Sequence, residues 1–180
     1  MVTPFTPGGE LDLEAAQNLA RYLVVNGNDG VVVAGTTGEA PTLSHDEQAQ
    51  LITAVREALP DHTVIAGTGS NDTRAAIHNT ERATEAGADG ILVVTPYYNR
   101  PSQAGIELHM REVAKATDKP VILYDIPIRA GRKIDTDTLL RLSEIDNVVA
   151  IKDAAGDPAE TARLLSLAGG AYEVYSGDDS

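Results

Sequence analysis

The chain alternates short apolar runs with longer amphipathic segments from one end to the other. About seven runs have the length and composition of buried strands, and segments with helical spacing of apolar residues separate them. The runs are 2–5, 30–34, 63–67, 90–95, 120–124, 148–152 and 172–176. Such alternation is typical of βαβ units, in which helices connect parallel strands. We therefore predict an α/β fold with a parallel sheet.

Capping signals support the helical segments between these runs. Ser44 and Glu47 form an S-x-x-E capping box ahead of an apolar helical pattern, and Asp12 precedes another such pattern. Asp157-Pro158 opens a further segment, with an acidic residue at Glu160. These signals predict that helices follow the strands in regular alternation.

A (β/α)8 TIM barrel is the favoured architecture. A doubly wound open sheet fits the alternation almost as well, but no G-x-G-x-x-G follows the first run, so a dinucleotide-binding fold has no support. A closed barrel needs eight strands and typically about 250 residues. We therefore expect residues 1–180 to form a single barrel domain. It would be truncated after about seven strands, with an incomplete first strand and without the last βα unit.

Composition excludes several classes of function. The 180-residue chain has a formal charge of −13, which argues against nucleic acid or an anionic membrane as a partner. It has no cysteine, so disulfides and thiolate chemistry are excluded, and its four histidines lack metal-ligand spacing. We see no secretory signal and no apolar run of about 20 residues, so we expect a cytoplasmic protein.

The run 148–151 ends in Lys152, and a loop of small residues follows. In a parallel barrel this places the ammonium at the carboxyl end of a strand, where barrel active sites lie. An ammonium at an apolar barrel mouth is poorly solvated, so its neutral form and its attack on a carbonyl are favoured. The alternative is a rim lysine whose head group reaches water.

Polar side chains also follow other predicted strands: Thr36 and Thr37, Tyr97 and Tyr98, Tyr124, and Arg129. The threonines lie between glycines, in a loop that can present hydroxyl and N–H groups to a carboxylate. A tyrosine can carry protons, and an arginine can hold a carboxylate through two hydrogen bonds. Each also has a structural interpretation, as a turn, a packing residue or a solvated cation.

Five motifs occur in an order and spacing that resemble the dihydrodipicolinate synthase family of pyruvate-dependent class I aldolases. They are Gly35-Thr36-Thr37-Gly38-Glu39, Thr95-Pro96-Tyr97-Tyr98-Asn99, Tyr124-Asp125-Ile126-Pro127-Ile128-Arg129, Ile151-Lys152-Asp153 and Ser176-Gly177-Asp178-Asp179. The first and third motifs alone would also admit an N-acetylneuraminate lyase or a keto-sugar-acid aldolase. Tyr97 to Asn99 and Arg129 favour the synthase. The resemblance covers nearly the whole chain, and it implies that the barrel domain of residues 1–180 also lacks the family's C-terminal helical region.

The resemblance implies that Lys152 forms a Schiff base with pyruvate. It also implies that Thr37 and neighbouring backbone amides hold the pyruvate carboxylate, and that Gly177 lies beside the pyruvate pocket. Tyr124 would act as proton donor and acceptor in Schiff-base formation and in the aldol step. No metal or organic cofactor is implied.

The second substrate would be L-aspartate 4-semialdehyde, whose carboxylate Arg129 would hold at the site entrance. Thr36 would link Tyr124 to Tyr98 in a proton relay, with Tyr98 reaching in from the neighbouring subunit of a tight dimer. The resemblance implies a homotetramer built as a dimer of dimers. The product would be 4-hydroxy-tetrahydrodipicolinate, made for diaminopimelate and lysine biosynthesis. The alternative is a barrel fragment without catalytic activity.

In this family lysine can inhibit through a site at the dimer interface, and His45, Asn71 and Tyr97 match the pattern of that site. Three further positions carry small or uncharged side chains where lysine-sensitive members tend to carry polar, histidine or glutamate side chains. These positions are Ala40, Gln48 and Ala75. We therefore expect lysine inhibition to be weak or absent.

Overall fold

The computed structural model describes residues 1–177, which fall into two compact units. The first unit comprises Met1–Thr68 and Asn79–Ile91. The second comprises Gly69–His78 and the chain from Leu92 onward. The expectation of a single domain over 1–180 stays a prediction.

The first unit contains two helices that pack against each other and two strands that pair in parallel. Its elements are α1 (Leu13–Val25), β1 (Gly30–Val33), a 3-10 turn (Ala40–Thr42), α2 (His45–Ala58) and β2 (Thr63–Gly67). The helix α3 (Thr73–Glu85) and the strand β3 (Gly90–Val94) have residues in both units. Gly30 lies opposite Thr63 in the β1–β2 register, and Val33 lies opposite Ala66.

The second unit contains the strands that carry the candidate site. Its elements are α4 (Gln103–Ala114), β4 (Val121–Asp125), α5 (Pro127–Ala130), α6 (Thr136–Leu142), β5 (Val148–Asp153), α7 (Pro158–Ala168) and β6 (Glu173–Ser176). The strands β4, β5 and β6 are parallel and adjacent in chain order. The helix α6 packs against both α4 and α7.

The structure confirms the α/β class and the parallel strands, but it has six strands among residues 1–177 rather than about seven. Residues 2–5 do not form the expected first strand, and Phe5 makes only an isolated bridge with Leu11. The Met1 nitrogen donates to the Val32 carbonyl at 2.8 Å, and the Thr3 hydroxyl donates to the Gly38 carbonyl at 2.6 Å. The Asp12 N–H also donates to the Pro4 carbonyl at 3.0 Å, so this segment makes isolated contacts rather than a continuous ladder with a neighbouring strand.

The predicted helix starts are confirmed by their capping contacts. Ser44 and Glu47 form a complete capping box at the start of α2. The Asp12 carboxylate accepts from the Ala15 N–H at 2.9 Å at the start of α1. These contacts satisfy N–H groups that have no partner within the helix, each at a typical benefit of about 1 kcal/mol.

The core of the second unit is apolar and almost inaccessible to solvent. The fully buried side chains include Leu123 and Ile151 from the strands and Ile106, Met110 and Leu142 from the helices. Each such side chain stabilises the fold by about 1.5–3 kcal/mol relative to exposure. The polar residues that end β4 and β5 are therefore presented by well-packed strands.

No helix within residues 1–177 combines the length and the apolar character that a membrane crossing requires.

Candidate active site

A one-residue irregularity sets the register of β4 against β5. Val121 lies opposite Val148, whereas the next residue, Ile122, lies opposite Ala150. Val149 is thus skipped in the pairing and is partly exposed. Such bulges occur next to active sites, because one extra residue changes which side chains face each other.

The shifted register places Tyr124 directly opposite Lys152. The Lys152 Nζ lies 4.3 Å from the centroid of the Tyr124 ring. Tyr124 is only 5% exposed, and Lys152 is half-buried. An amine and a phenol hydroxyl on neighbouring strand ends can supply a nucleophile and a proton carrier for carbonyl chemistry.

Thr95, which follows β3, fixes the backbone of Tyr124. Its N–H and its hydroxyl both donate to the Tyr124 carbonyl, at 3.0 and 3.1 Å. Thr95 is fully buried, so these two hydrogen bonds are shielded from water. The position of the Tyr124 ring is therefore constrained by β3 as well as by β5.

Gly177, the residue after β6, lies against the Lys152 side chain. Its N–H donates to the Asp153 carbonyl at 2.7 Å. A Cβ at this position would lie 2.9 Å from the Cβ of Ala154, 3.1 Å from Lys152 Cε and 3.3 Å from Lys152 Cγ. A side chain at position 177 would therefore force Ala154 or the aliphatic part of Lys152 to move from its present position.

If Lys152 forms the Schiff base with pyruvate that the family resemblance implies, Gly177→Ala should slow its trapping by borohydride about tenfold, because the added methyl displaces the Lys152 side chain. The measurement is the adduct yield over time in the presence of borohydride. Gly105→Ala is the matched control, since a Cβ there comes no closer than 3.4 Å to any neighbouring atom. Equal trapping rates in the two variants would contradict the expectation.

Two carboxyl groups lie on the other face of the same strand ends, because successive side chains of a strand alternate. Asp125 lies opposite Asp153, and it is 1% exposed. Burial raises the pKa of Asp125 to about 7, a hydrogen bond from the Ile134 N–H lowers it, and the Asp153 charge raises it. The Asp125 carboxyl therefore carries a proton more readily than an exposed aspartate.

Arg129 and Tyr98 are exposed on segments that follow β4 and β3. Arg129 lies in α5, which the sequence suggested as a loop, and its N–H donates to the Ile126 carbonyl at 3.0 Å. Tyr98 is 88% exposed and has a positive φ of 69°. Its N–H donates to the Ala130 carbonyl at 3.1 Å, so the two segments contact each other.

Thr36 and Thr37 lie in the first unit, where they are exposed in the turn after β1. The Gly38 N–H donates to the Gly35 carbonyl at 3.0 Å, and the Glu39 N–H donates to the Thr36 carbonyl at 3.1 Å. The two hydroxyls thus occupy a tight turn at the carboxyl end of a parallel strand. Their predicted roles stay predictions.

The whole chain, residues 1–180, matches the model of the Dihydrodipicolinate synthetase family. It is 52% identical over 181 residues to the 4-hydroxy-tetrahydrodipicolinate synthase of Moorella thermoacetica, a match that covers 100% of this chain and 62% of that protein. The chain belongs to this family. It spans about three fifths of the length of the relatives that it matches.

Solved structures of the family agree with the fold. The crystal structure of a dihydrodipicolinate synthase from Bacillus anthracis matches with a TM-score of 0.97 and 46% identity, over 99% of this chain and 62% of that one. The chloride-inhibited synthase from Acinetobacter baumannii, complexed with pyruvate, matches with a TM-score of 0.96 and 43% identity. That match covers 99% of this chain and 62% of the other. The six strands thus correspond to part of the family's (β/α)8 barrel.

Three residues of this region were given no role of their own by the sequence analysis: Thr95 and Asp125, which occur within the quoted motifs, and Tyr175. Tyr175 is the β6 register partner of Lys152 and is half exposed. Its hydroxyl donates to the Glu173 carboxylate, a contact that raises the pKa of Tyr175. A signal was present for Thr95 and Asp125, because both are polar residues at the ends of apolar runs.

Proposed function

We propose that the chain carries the catalytic lysine of a lyase that condenses pyruvate with L-aspartate 4-semialdehyde to give 4-hydroxy-tetrahydrodipicolinate. This reaction belongs to diaminopimelate and lysine biosynthesis. The observation that carries the proposal is the approach of Lys152 Nζ to the Tyr124 ring at the ends of adjacent parallel strands. The relatives' names carry the product, 4-hydroxy-tetrahydrodipicolinate, and the Acinetobacter synthase was solved with pyruvate.

Lys152 begins the reaction as a nucleophile. Its neutral amine attacks the C2 carbonyl of pyruvate, and loss of water gives a protonated imine. The imine withdraws electrons from the pyruvate methyl group, so a proton leaves C3 and an enamine forms. No other electron sink is needed for this step.

The enamine then forms the new carbon–carbon bond. Its C3 attacks the aldehyde carbon of the semialdehyde, and the aldehyde oxygen becomes a hydroxyl group. The amine of the semialdehyde attacks the imine carbon, closes the ring and releases the Lys152 amine. The Tyr124 hydroxyl donates and accepts the protons of these steps, since Tyr124 lies near the end of β4, directly opposite Lys152.

Arg129 binds the carboxylate of the semialdehyde, for which its exposed guanidinium on α5 is suited. The proposed roles of Thr36, Thr37, Tyr98 and Gly177 rest on the family resemblance and stay predictions. The homotetramer and the cytoplasmic location also stay predictions.

Borohydride trapping with pyruvate tests the proposal. We expect reduction in the presence of pyruvate to give one covalent adduct, and peptide mass spectrometry to locate it on Lys152. The experiment uses the full-length protein. Lys115 provides an internal control, because it lies in the same unit and its ammonium pairs with Glu112 at 2.6 Å.

The outcomes separate the alternatives. An adduct on Lys152 together with turnover of aspartate semialdehyde supports the proposal. An adduct with turnover of a sugar-derived aldehyde alone would assign the protein to another Schiff-base aldolase. A folded protein that forms no adduct would overturn the Schiff-base mechanism and favour a fragment without catalytic activity.

A further inference from the structure

The segment between Asp125 and Ile134 leaves β4 and returns to it. The Ile134 N–H donates to Oδ1 of Asp125 at 3.2 Å, and both residues are buried. This hydrogen bond closes a loop that contains α5 and the exposed Arg129. Gly131 turns the chain after α5 with a φ of 76°, a conformation that favours glycine. The orientation of Arg129 therefore depends on a closed and compact segment.

The Asp125 carboxyl lies among several charged groups, and one of them, the Lys133 ammonium, lowers its pKa. Lys133 forms its ion pair with Glu160 on α7. The Asp153 carboxylate accepts hydrogen bonds from the Ala155 N–H and from the Thr161 hydroxyl. The charged groups around the carboxyl come from β5, the connection after α5, and α7: Asp153, Lys133, Asp135, Asp157 and Glu160.

The acidic groups around Asp125 disfavour a negative charge on its buried carboxyl. Asp153 lies opposite Asp125 in the parallel register, so the two carboxyl groups share one face of the sheet. Two carboxylates on the same face of adjacent strands repel each other, and the more buried one retains its proton more readily. Burial raises the pKa of Asp125 to about 7.

We propose that Asp125 is a positioning residue whose carboxyl holds the segment 126–134, and with it Arg129, in the orientation that binds the aldehyde substrate. This inference rests on the proposed function, because it concerns the substrate that Arg129 binds there. Asp125 acts through Arg129. Its own side chain lies on the sheet face opposite to that of Tyr124 and Lys152.

The same segment has a second anchor that does not involve a charge. The side-chain amide of Gln103 donates to the Lys133 carbonyl at 2.8 Å, and its oxygen accepts from the Asp135 N–H at 3.0 Å. Loss of the Asp125 carboxyl therefore leaves the segment attached to α4. The expected effect is a loosened orientation of Arg129 in a folded protein.

Steady-state kinetics of two variants tests the proposal. Asp125→Ala removes the acceptor, and we expect it to raise KM for L-aspartate 4-semialdehyde about tenfold with little change of KM for pyruvate. Asp125→Asn keeps an oxygen acceptor without a charge and should restore KM to within about twofold of the unmodified protein. Equal rises of both KM values, or no rescue by asparagine, would overturn the positioning role.

Asp153→Ala is the matched control. It removes the neighbouring carboxyl, whose hydrogen bonds go to Ala155 and Thr161 rather than to the segment that carries Arg129. We expect it to lower thermal stability without the selective rise in KM for the aldehyde. A selective rise as large as that of Asp125→Ala would overturn the specific role of Asp125.

The pH dependence of unfolding tests the raised pKa of the Asp125 carboxyl. The pKa of Asp125 rises from 3.8 to about 7 on folding, so its contribution to stability is present below pH 4 and is lost as the pH rises to 7. Asp125→Asn should therefore match the unmodified protein in Tm near pH 4 and exceed it at pH 8. A constant Tm difference between pH 4 and pH 8 would contradict the raised pKa of Asp125.

Failure of the proposed function gives a different result. If the unmodified protein forms no borohydride-stable pyruvate adduct on Lys152, the proposed function fails and the positioning role falls with it. If the adduct forms and Asp125→Ala leaves KM for the aldehyde unchanged, only the positioning role is overturned.

Discussion

Replacing Lys152 with arginine should lower kcat/KM at least about a thousandfold, which corresponds to about 4 kcal/mol of transition-state stabilisation. Arginine keeps a positive charge over the Tyr124 ring, but its guanidinium stays protonated and cannot form the imine. The variant should also give no pyruvate adduct after borohydride reduction. Turnover assays and peptide mass spectrometry measure the two effects.

Lys115→Arg is the control for this substitution. Lys115 caps the end of α4, and its ion pair with Glu112 is compatible with arginine. We expect this variant to keep the adduct on Lys152 and its turnover within about twofold, as for most surface substitutions. A pyruvate adduct in Lys152→Arg that forms at the normal rate would contradict the assignment of the nucleophile.

Replacing Tyr124 with phenylalanine should lower kcat about a hundredfold, in the range of a lost general acid–base group. The ring that contacts the Lys152 ammonium remains, and only the hydroxyl is removed. We therefore expect the pyruvate adduct still to form, but more slowly. Single-turnover trapping and steady-state assays distinguish the two steps.

Tyr172→Phe is the matched control, because it also removes one buried hydroxyl. The Tyr172 hydroxyl donates to the Leu139 carbonyl at 2.6 Å, and burial raises its pKa. We expect this variant to lose about 1 kcal/mol of stability while it keeps its turnover. The opposite pattern, with activity lost in Tyr172→Phe and kept in Tyr124→Phe, would contradict the proton-transfer role.

The elements were predictable where a local signal existed. The capping box of Ser44 and Glu47 marks the start of α2, and the run 148–151 marks β5. Residues 2–5 were misread as a strand, because apolar composition does not reveal whether a neighbouring ladder is available. The short helix that carries Arg129 was missed, since a four-residue segment that begins with a proline and is followed by a glycine also suits a turn.

The candidate site was predictable only in its reactive residues. Lys152 and Tyr124 each end an apolar run, and the family resemblance connects them to pyruvate chemistry. The importance of Thr95 and Asp125 depends on which backbone groups they meet, Tyr124 and Ile134, and these partners lie far from them along the chain or beyond a turn. Exposure and hydrogen-bond partners of this kind arise from packing.

The sequence by itself determined the parallel α/β architecture and the presence of a lysine at a strand end, because hydrophobic periodicity and capping act locally. Only the tertiary structure decided that Lys152 lies opposite Tyr124. In an unbroken register from Val121 and Val148, Tyr124 would lie opposite Ile151. The bulge at Val149 shifts the pairing by one residue, and four successive apolar side chains give no local sign of it. Register depends on how two distant strands pack, and that packing brings the amine to the phenol.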